Sequence, residues 1–440
     1  MQRTIRAVVV GGGFGGMQAA QSLSRLGIDT LLIDRNNYNT FVPLLYQVAA
    51  AQIEPEKIAY PLRTAARCSD QLHFQMAEVQ HIDFSSQRIE TDRSDIPYDF
   101  LVLATGSQTQ YFGVPGAERY AFPLRNLDEA IAIRHHILHC FEQANGESDR
   151  TLRRQLLTFV IVGGGPTGVE MAGTLVELKR SLMRDYPNLD FQDVRLMMVQ
   201  SGHGLLSNLP PSLGRYTLRK LRRIGVEVHL QTRVNQVTPE GVCLESGKNL
   251  SAGTVIWTAG LAASRPATSK ELETAPKGKL VVQPTLQLEG HPNVYVIGDL
   301  AHVRSNGHPL TGVAPEALQQ GVAVARNIKR QSQWKTPKPF KYLNKGRLAI
   351  IGCYAGVGKI GPFLLTGFLP WLMWLAVHLV YLPGFRSRLL ILLSWIHSYG
   401  LRDRPIRLIL SPRLMAPSEQ ATNQTDQYAV SNRATQVSRP

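Results

Sequence analysis

Two glycine-rich strings, GGGFGG from Gly11 and GGGPTG from Gly163, lie 152 residues apart, each after a run of β-branched residues and before a helical pattern. A strand that turns directly into a helix through G-x-G-x-x-G leaves few folds open. Its first glycine permits the tight turn. The second lets the backbone approach a pyrophosphate, and the third lets helix and strand pack closely while the helix amides face the anion. The first string supplies Gly11, Gly13 and Gly16, with Phe14 opening the helix. The second supplies Gly163, Gly165 and Gly168, with Pro166 at a helix start, where the missing N–H costs nothing. A strand-helix turn without a ligand is the plainer alternative for the first.

Further strand-like runs at 30–34, 100–104, 194–200, 254–258 and 294–297 alternate with helical patterns, which predicts parallel sheets with crossover helices. At 440 residues the chain exceeds one hydrophobic core. The expected fold class is α/β: two Rossmann-like dinucleotide-binding domains, the first interrupted by the second, followed by membrane-associating C-terminal helices. The polar stretch 143–154 reads as a hinge between them.

Three features assign the first nucleotide to FAD. Asp34 ends the second strand, 23 residues after Gly11, where a carboxylate can bond ribose hydroxyls. Ala104, Thr105 and Gly106 end another strand in small residues that admit a flat cofactor. Gly298 and Asp299 end a third, placed to hold a ribityl chain. For the second nucleotide, Glu170 falls in what reads as the first helical turn, either beside a nicotinamide or simply favoured by the helix dipole. The residue expected to read the adenosine ribose is Gln200 and not an acid, so a 2′-phosphate meets no repulsion. NADH is expected, with NADPH also admitted. The expected boundaries are 1–150 and 286–335 for the FAD domain, 151–285 for the NAD(P)H domain, 336–412 for a membrane-anchoring region and 413–440 for a disordered tail.

Lys and Arg outnumber acids 48 to 33. From Lys341 to Arg413 there are ten basic residues and one acid, Asp403. This charge is interleaved with long aliphatic runs and tryptophans, which suits lipid and argues against nucleic acid. Residues 362–385 carry no charge and are numerous enough to span a bilayer, but Gly367, Pro370, His378 and Pro383 interrupt them. Beyond them, Leu389, Leu392, Leu393 and Ile396 share one helical face between Arg386, Arg388, Arg402 and Arg404, the pattern of a helix lying among headgroups. A dimer interface is the alternative use of that face. Cys68, Cys140, Cys243 and Cys353 form no CxxC pair, which argues against a zinc site or a local dithiol; no metal is expected. With no secretory signal pattern at the N-terminus, the expected location is the cytoplasmic face of a membrane.

With these residues in place, the chain resembles the type II NADH dehydrogenases, single-subunit NADH:quinone oxidoreductases of the glutathione-reductase-like flavoprotein superfamily. The specific carriers are FVPLLYQVA from Phe41 and GVAPEALQQG from Gly312, beside both glycine strings and NVYVIGD from Asn293. The resemblance implies hydride transfer from NADH to flavin, delivery of two electrons to a membrane quinone, and no proton pumping. It places Ala314, Pro315, Gln319 and Gln320 near the flavin ring and the quinone, with Gln319 favoured, and Glu170 near the nicotinamide. For both glutamines the alternative is helix capping and packing. The family's attachment is monotopic, through C-terminal helices, so truncation after Tyr342 is expected to release the protein from the membrane with its flavin. Two rival readings remain. A sulfide:quinone oxidoreductase would need a redox pair, for which Cys140 and Cys353 are the candidates, and a non-enzymatic redox sensor would use the basic C-terminus as its contact.

Overall fold

A computed structural model describes residues 5–67, 69–269, 271–305 and 307–409. Cys68 and the expected tail 413–440 lie outside the described residues. The chain forms two units, one from Met1–Phe41, Ala59–Gln110 and Leu261–Asn344, the other from Val42–Ile58, Tyr111–Gly260 and Lys345–Pro440. The helices needed below are, in chain order, α1 (Phe14–Arg25), α2 (Leu45–Ala49), α3 (Leu127–Gly146), α4 (Arg150–Leu156), α5 (Pro166–Leu182), α6 (Pro211–Arg223), α7 (Ala314–Gln331), α8 (Phe368–Tyr381) and α9 (Phe385–Gly400).

The first unit is built on a six-stranded sheet in the order Gln287–Leu288, His291–Val296, Phe100–Leu103, Arg6–Val10, Asp29–Asp34, Leu72–Met76, parallel except for the first pair. Val8, Val9, Leu32, Leu101 and Val294 are fully or almost fully buried, as expected for strands covered on both faces. α1 returns the chain from Arg6–Val10 to Asp29–Asp34. The first two turns of its buried face are small (Gly15, Gly16, Ala19, Ala20), where two neighbours press on it, and Leu23 follows. A Cβ on Gly16 would lie 1.8 Å from the Gly11 carbonyl oxygen, and one on Gly321 of α7 would lie 2.6 Å from that of Gly15.

The second unit carries a five-stranded, all-parallel sheet in the order Phe122–Pro123, Thr254–Trp257, Thr158–Val162, Arg195–Val199, Val226–His229. α5 leaves its central strand. An antiparallel sheet of Arg347–Ile350, Gly356–Ile360 and Phe363–Gly367 lies against α5 at Gly173, where a Cβ would meet the Ile351 carbonyl oxygen at 2.4 Å.

One expectation about the fold is corrected. Residues 143–154 are no hinge: they are the end of α3 and most of α4, inside the second unit, and their polarity is that of exposed helix faces and of the Asp149 cap on α4. The uncharged stretch 362–385 is not one helix. Its first part is the strand Phe363–Gly367, and Gly367 with φ +86° turns the chain into the 14-residue α8. At 1.5 Å per residue such a helix reaches about 21 Å, short of the roughly 30 Å hydrocarbon core. No helix among the described residues is long and apolar enough to cross a membrane.

Because α1 and α7 touch through backbone at Gly321, Gly321→Ala should destabilise the protein by about 1–3 kcal/mol, as overpacking of a close contact does. Urea unfolding of the two proteins measures this; equal midpoints would show that the helices separate freely.

Candidate active site

Each glycine string forms a cradle whose parts correspond. In the first, Gly11 takes φ +103° and packs on Ala104, where a Cβ would meet the Ala104 carbonyl oxygen at 2.4 Å. Asp34 Oδ2 accepts the Gly12 N–H at 2.6 Å, its Oδ1 accepts the Asn36 N–H at 2.8 Å, and Asn39 Nδ2 donates to the Gly12 carbonyl at 2.7 Å. Burial raises the Asp34 pKa, and the two backbone N–H groups oppose that rise. In the second, Gly163 takes φ +114° and packs on Ala259. Gln200 Oε1 accepts the Gly164 N–H at 2.9 Å, and the Thr258 hydroxyl donates to the Val162 carbonyl at 2.9 Å. Gly168 presses on Gly163 as Gly16 does on Gly11, with a Cβ-to-oxygen separation of 2.0 Å.

The middle glycines test whether a nucleotide fits. Gly13 has φ −70° and Gly165 φ −75°, conformations open to any residue, and a Cβ at either would meet nothing within 4 Å. Protein packing therefore does not require glycine there. Both are helix N-caps, where glycine is tolerated, and the open space leaves room for an outside group at the first amides of α1 and α5.

Other predicted residues of the first unit converge. The Ser107 hydroxyl donates to Asp299 Oδ2 at 2.6 Å, and Thr105 Oγ1 donates to the Ser264 carbonyl beside Gly106. Gln320 is buried and accepts the Gly298 N–H at 2.7 Å through Oε1. Gln319 pairs with the Leu343 backbone at both ends of its amide, donating at 3.0 Å and accepting at 2.9 Å. Both glutamines thus have backbone partners, and Ala314 with Pro315 forms the start of α7. Two residues went unnoticed in the sequence. Glu316 caps α7 by accepting the Gly312 N–H at 2.8 Å, and Lys279 stands by Asp299 and Glu316 with its pKa lowered, chiefly by burial. A lone lysine at the start of the short strand Lys279–Val281 carries no signal that could have marked it.

Glu170 is not in the first turn of α5, which holds no acid; it is the fifth residue of the helix and buried. The dipole account needs a charged carboxylate. Burial instead pushes its pKa up to about 8, against the weaker pull of the Ile350 N–H at 3.5 Å and of the Trp374 indole N–H, which donates to it. Glu170 is therefore mostly a neutral acid at pH 7. Its surroundings are brought together from distant parts of the chain. Trp395 Nε1 donates to Gln47 Oε1 at 2.8 Å, and Gln47 Nε2 donates to the Tyr46 hydroxyl at 2.9 Å. The Tyr46 ring stands edge-on to Trp374 at 6.2 Å. Behind Trp374, the His378 ring stacks at 3.7 Å, and burial lowers its pKa to about 4, so it is neutral.

Residues 5–321 match the family model described as pyridine nucleotide-disulphide oxidoreductase. The type II NADH:quinone oxidoreductase Ndh of Mycobacterium tuberculosis is 36% identical over 409 residues, covering 89% of this chain and 88% of that protein. The chain belongs to the type II NADH:quinone oxidoreductase family. A second family member from the same organism, NdhA, is 34% identical over 93% of this chain and 90% of its own. Among solved structures, NDH2 of Plasmodium falciparum in complex with NADH has the same fold, with a TM-score of 0.85 at 20% identity over 92% of this chain and all of that one. A sulfide:quinone oxidoreductase from Aquifex aeolicus shares the fold less closely, with a TM-score of 0.69 at 17% identity over 90% of this chain and 96% of that one. In this family member Cys140, Cys243 and Cys353 are free, and burial raises the Cys140 and Cys353 thiols to about 11, which leaves both protonated and unlike a redox pair. No group among the described residues could hold a metal ion.

The pKa of Glu170 has a stability consequence. As pH rises through about 4.5 the unfolded chain loses this proton while the folded protein keeps it to about 8, so stability falls across that window. Glu170→Gln should remove this slope and be the more stable protein at pH 9, by an amount on the order of a few kcal/mol. Parallel slopes for the two proteins in pH-dependent unfolding would contradict a neutral Glu170.

Proposed function

We propose that this chain is an FAD-dependent NADH:quinone oxidoreductase in which the Asp34 cradle holds FAD and the Gln200 cradle holds the nicotinamide nucleotide. The observation that carries the reading is the pair of matched cradles in one chain, each with a middle glycine that opens onto free space at the start of a helix. Bound flavin supplies hydride acceptance and the onward passage of two electrons. The protein binds, orients and holds protons. Gly11, Gly13 and Gly16 admit one pyrophosphate to α1, and Gly163, Gly165 and Gly168 admit the other to α5. Asp34 orients a ribose. Asp299, held by Ser107, and Gly298, held by Gln320, line the flavin chain. Glu170 stores a proton at its carboxyl at neutral pH, as reduction of a quinone to a quinol requires. Gln319 and Gln320 act as positioning residues through Leu343 and Gly298.

The same reading covers donor choice. Gln200 spends its oxygen on Gly164, so the group it turns to the ribose is an N–H donor and carries no negative charge. NADPH should therefore serve alongside NADH. Quinone-dependent oxidation of the two donors should differ in kcat/KM by less than about a hundredfold. Gln200→Glu should lower the NADPH value by about tenfold or more while leaving NADH within a few-fold, since it places like charges in contact. A wild-type NADH preference of several hundredfold would remove the dual-donor reading and leave the oxidoreductase standing.

We further propose that the protein is monotopic, with α8 and α9 in the interfacial plane at the cytoplasmic face. Phe368, Leu369, Leu372, Leu389, Leu393 and Ile396 are exposed on these helices, with Arg386 and Arg388 at the start of α9. Water tolerates such a continuous apolar face poorly. Truncation after Tyr342 is not a clean test, because it would also remove Ile350 and Trp374 from Glu170 and uncover α5 at Gly173. Replacing Leu389, Leu393 and Ile396 together with Ser is the better variant. It should keep its flavin and lose at least about tenfold in binding to lipid vesicles, given roughly 0.8 kcal/mol per methylene withdrawn from lipid. Unchanged binding together with a dimer that dissociates in the variant would assign the face to a second copy of the chain.

A further inference from the structure

We propose that α6 is a second, electrostatic contact with the bilayer, an arginine stripe that takes anionic phospholipid headgroups and settles the nicotinamide-binding unit on the membrane; the proposal rests on the interfacial reading of α8 and α9. The helix PSLGRYTLRKLRR carries five basic residues and no acid. Leu213, Gly214, Thr217 and Leu221 form its buried side, whereas Arg215, Arg219, Arg222 and Arg223 follow one another at i, i+4, i+7 and i+8 and are all exposed. Like charges at this spacing repel along a helix. Arg222 donates to the Val228 carbonyl, but among the described residues Arg215, Arg219 and Arg223 form no ion pair. The helix dipole accounts for basic residues in the last turn; it disfavours Arg215, one turn from the N-terminus. A merely solvated face is ordinarily of mixed sign. This one is of a single sign.

Its position supplies the occupant. α6 lies beside the strands Gly356–Ile360 and Phe363–Gly367, with the Tyr216 hydroxyl 3.8 Å from where a Cβ on Gly367 would stand, and Arg347 Nη1 donates to the Asn208 carbonyl at 3.3 Å just before the helix. Lys359 is exposed on the middle strand, and Phe363 and Leu364 are exposed on the edge strand that leads into the apolar face of α8. A basic ridge bordering exposed aliphatic and aromatic side chains matches an anionic lipid surface, in which phosphates sit above acyl chains. Nucleic acid offers no counterpart to the apolar border.

The test uses the full chain with its flavin, floated with vesicles of phosphatidylcholine alone or with about 30% phosphatidylglycerol, at low and high salt. Wild type should bind both, with about a tenfold preference for the anionic vesicles that disappears at high salt. The variant R215Q/R219Q/R222Q/R223Q should lose that preference, keep its binding to phosphatidylcholine, and oxidise NADH with a water-soluble quinone at the wild-type rate. The matching Lys variant should retain the preference and guards against a folding effect. A Gln variant that still prefers anionic vesicles, or a wild type without any preference, would overturn the role of α6 while leaving the apolar anchor intact. Failure of wild type to bind either vesicle would instead overturn the interfacial reading, and this proposal with it.

Discussion

Both glycine cradles depend on the same contact: the third glycine of each string lies against the carbonyl of the first, so closely that a single methyl group would fall within 2.0 Å of the oxygen. That contact fixes where α1 and α5 start relative to their strands. It aims the unpaired amides of each helix at the space above the middle glycine, and it places Gly12 and Gly164 within reach of Asp34 and Gln200. Without it the helix would stand off its strand, and the amides would no longer converge with the Asp34 or Gln200 side chain. The two cradles are thus versions of one backbone solution, differing in a carboxylate on one side and an amide on the other.

A second constraint is the burial of Glu170. α5 could have begun with a solvated acid, as helix dipoles favour. Instead the antiparallel sheet from Arg347 to Gly367 and the first of the C-terminal helices close over its fifth residue, and the carboxyl keeps its proton to about pH 8. The same C-terminal segment is fastened to α5 further along, where Arg404 and the Cys353 N–H both reach Glu177 and the Arg404 N–H donates to Ser181. The region that exposes apolar surface is therefore also part of the environment of an ionisable group, and one stretch of chain carries two physical tasks.

What the sequence made legible follows the range of the interactions. The glycine cradles, the placing of Asp34 and Gln200 beside them and the parallel strands were readable because strand, turn, helix and the end of the following strand lie within a few tens of residues of one another. The Trp395–Gln47 bond joins residues 348 apart, and Trp374 meets Glu170 across two hundred. No local pattern announces such pairs. Polarity misled at 143–154, where it marked the outer faces of two helices, whereas Gly367, one of the interruptions legible in 362–385, does divide that apolar run into strand and helix. The family resemblance brought Gln319 and Gln320 to notice, whereas their backbone partners, Leu343 and Gly298, emerged only from the fold.

The most direct test of the central claim, one chain passing electrons from a nicotinamide to a quinone through flavin, is an anaerobic absorbance titration of the purified protein. NADH should bleach the flavin band near stoichiometrically, and a quinone added afterwards should restore it without oxygen. A flavin left oxidised by NADH but bleached by sulfide would contradict the account.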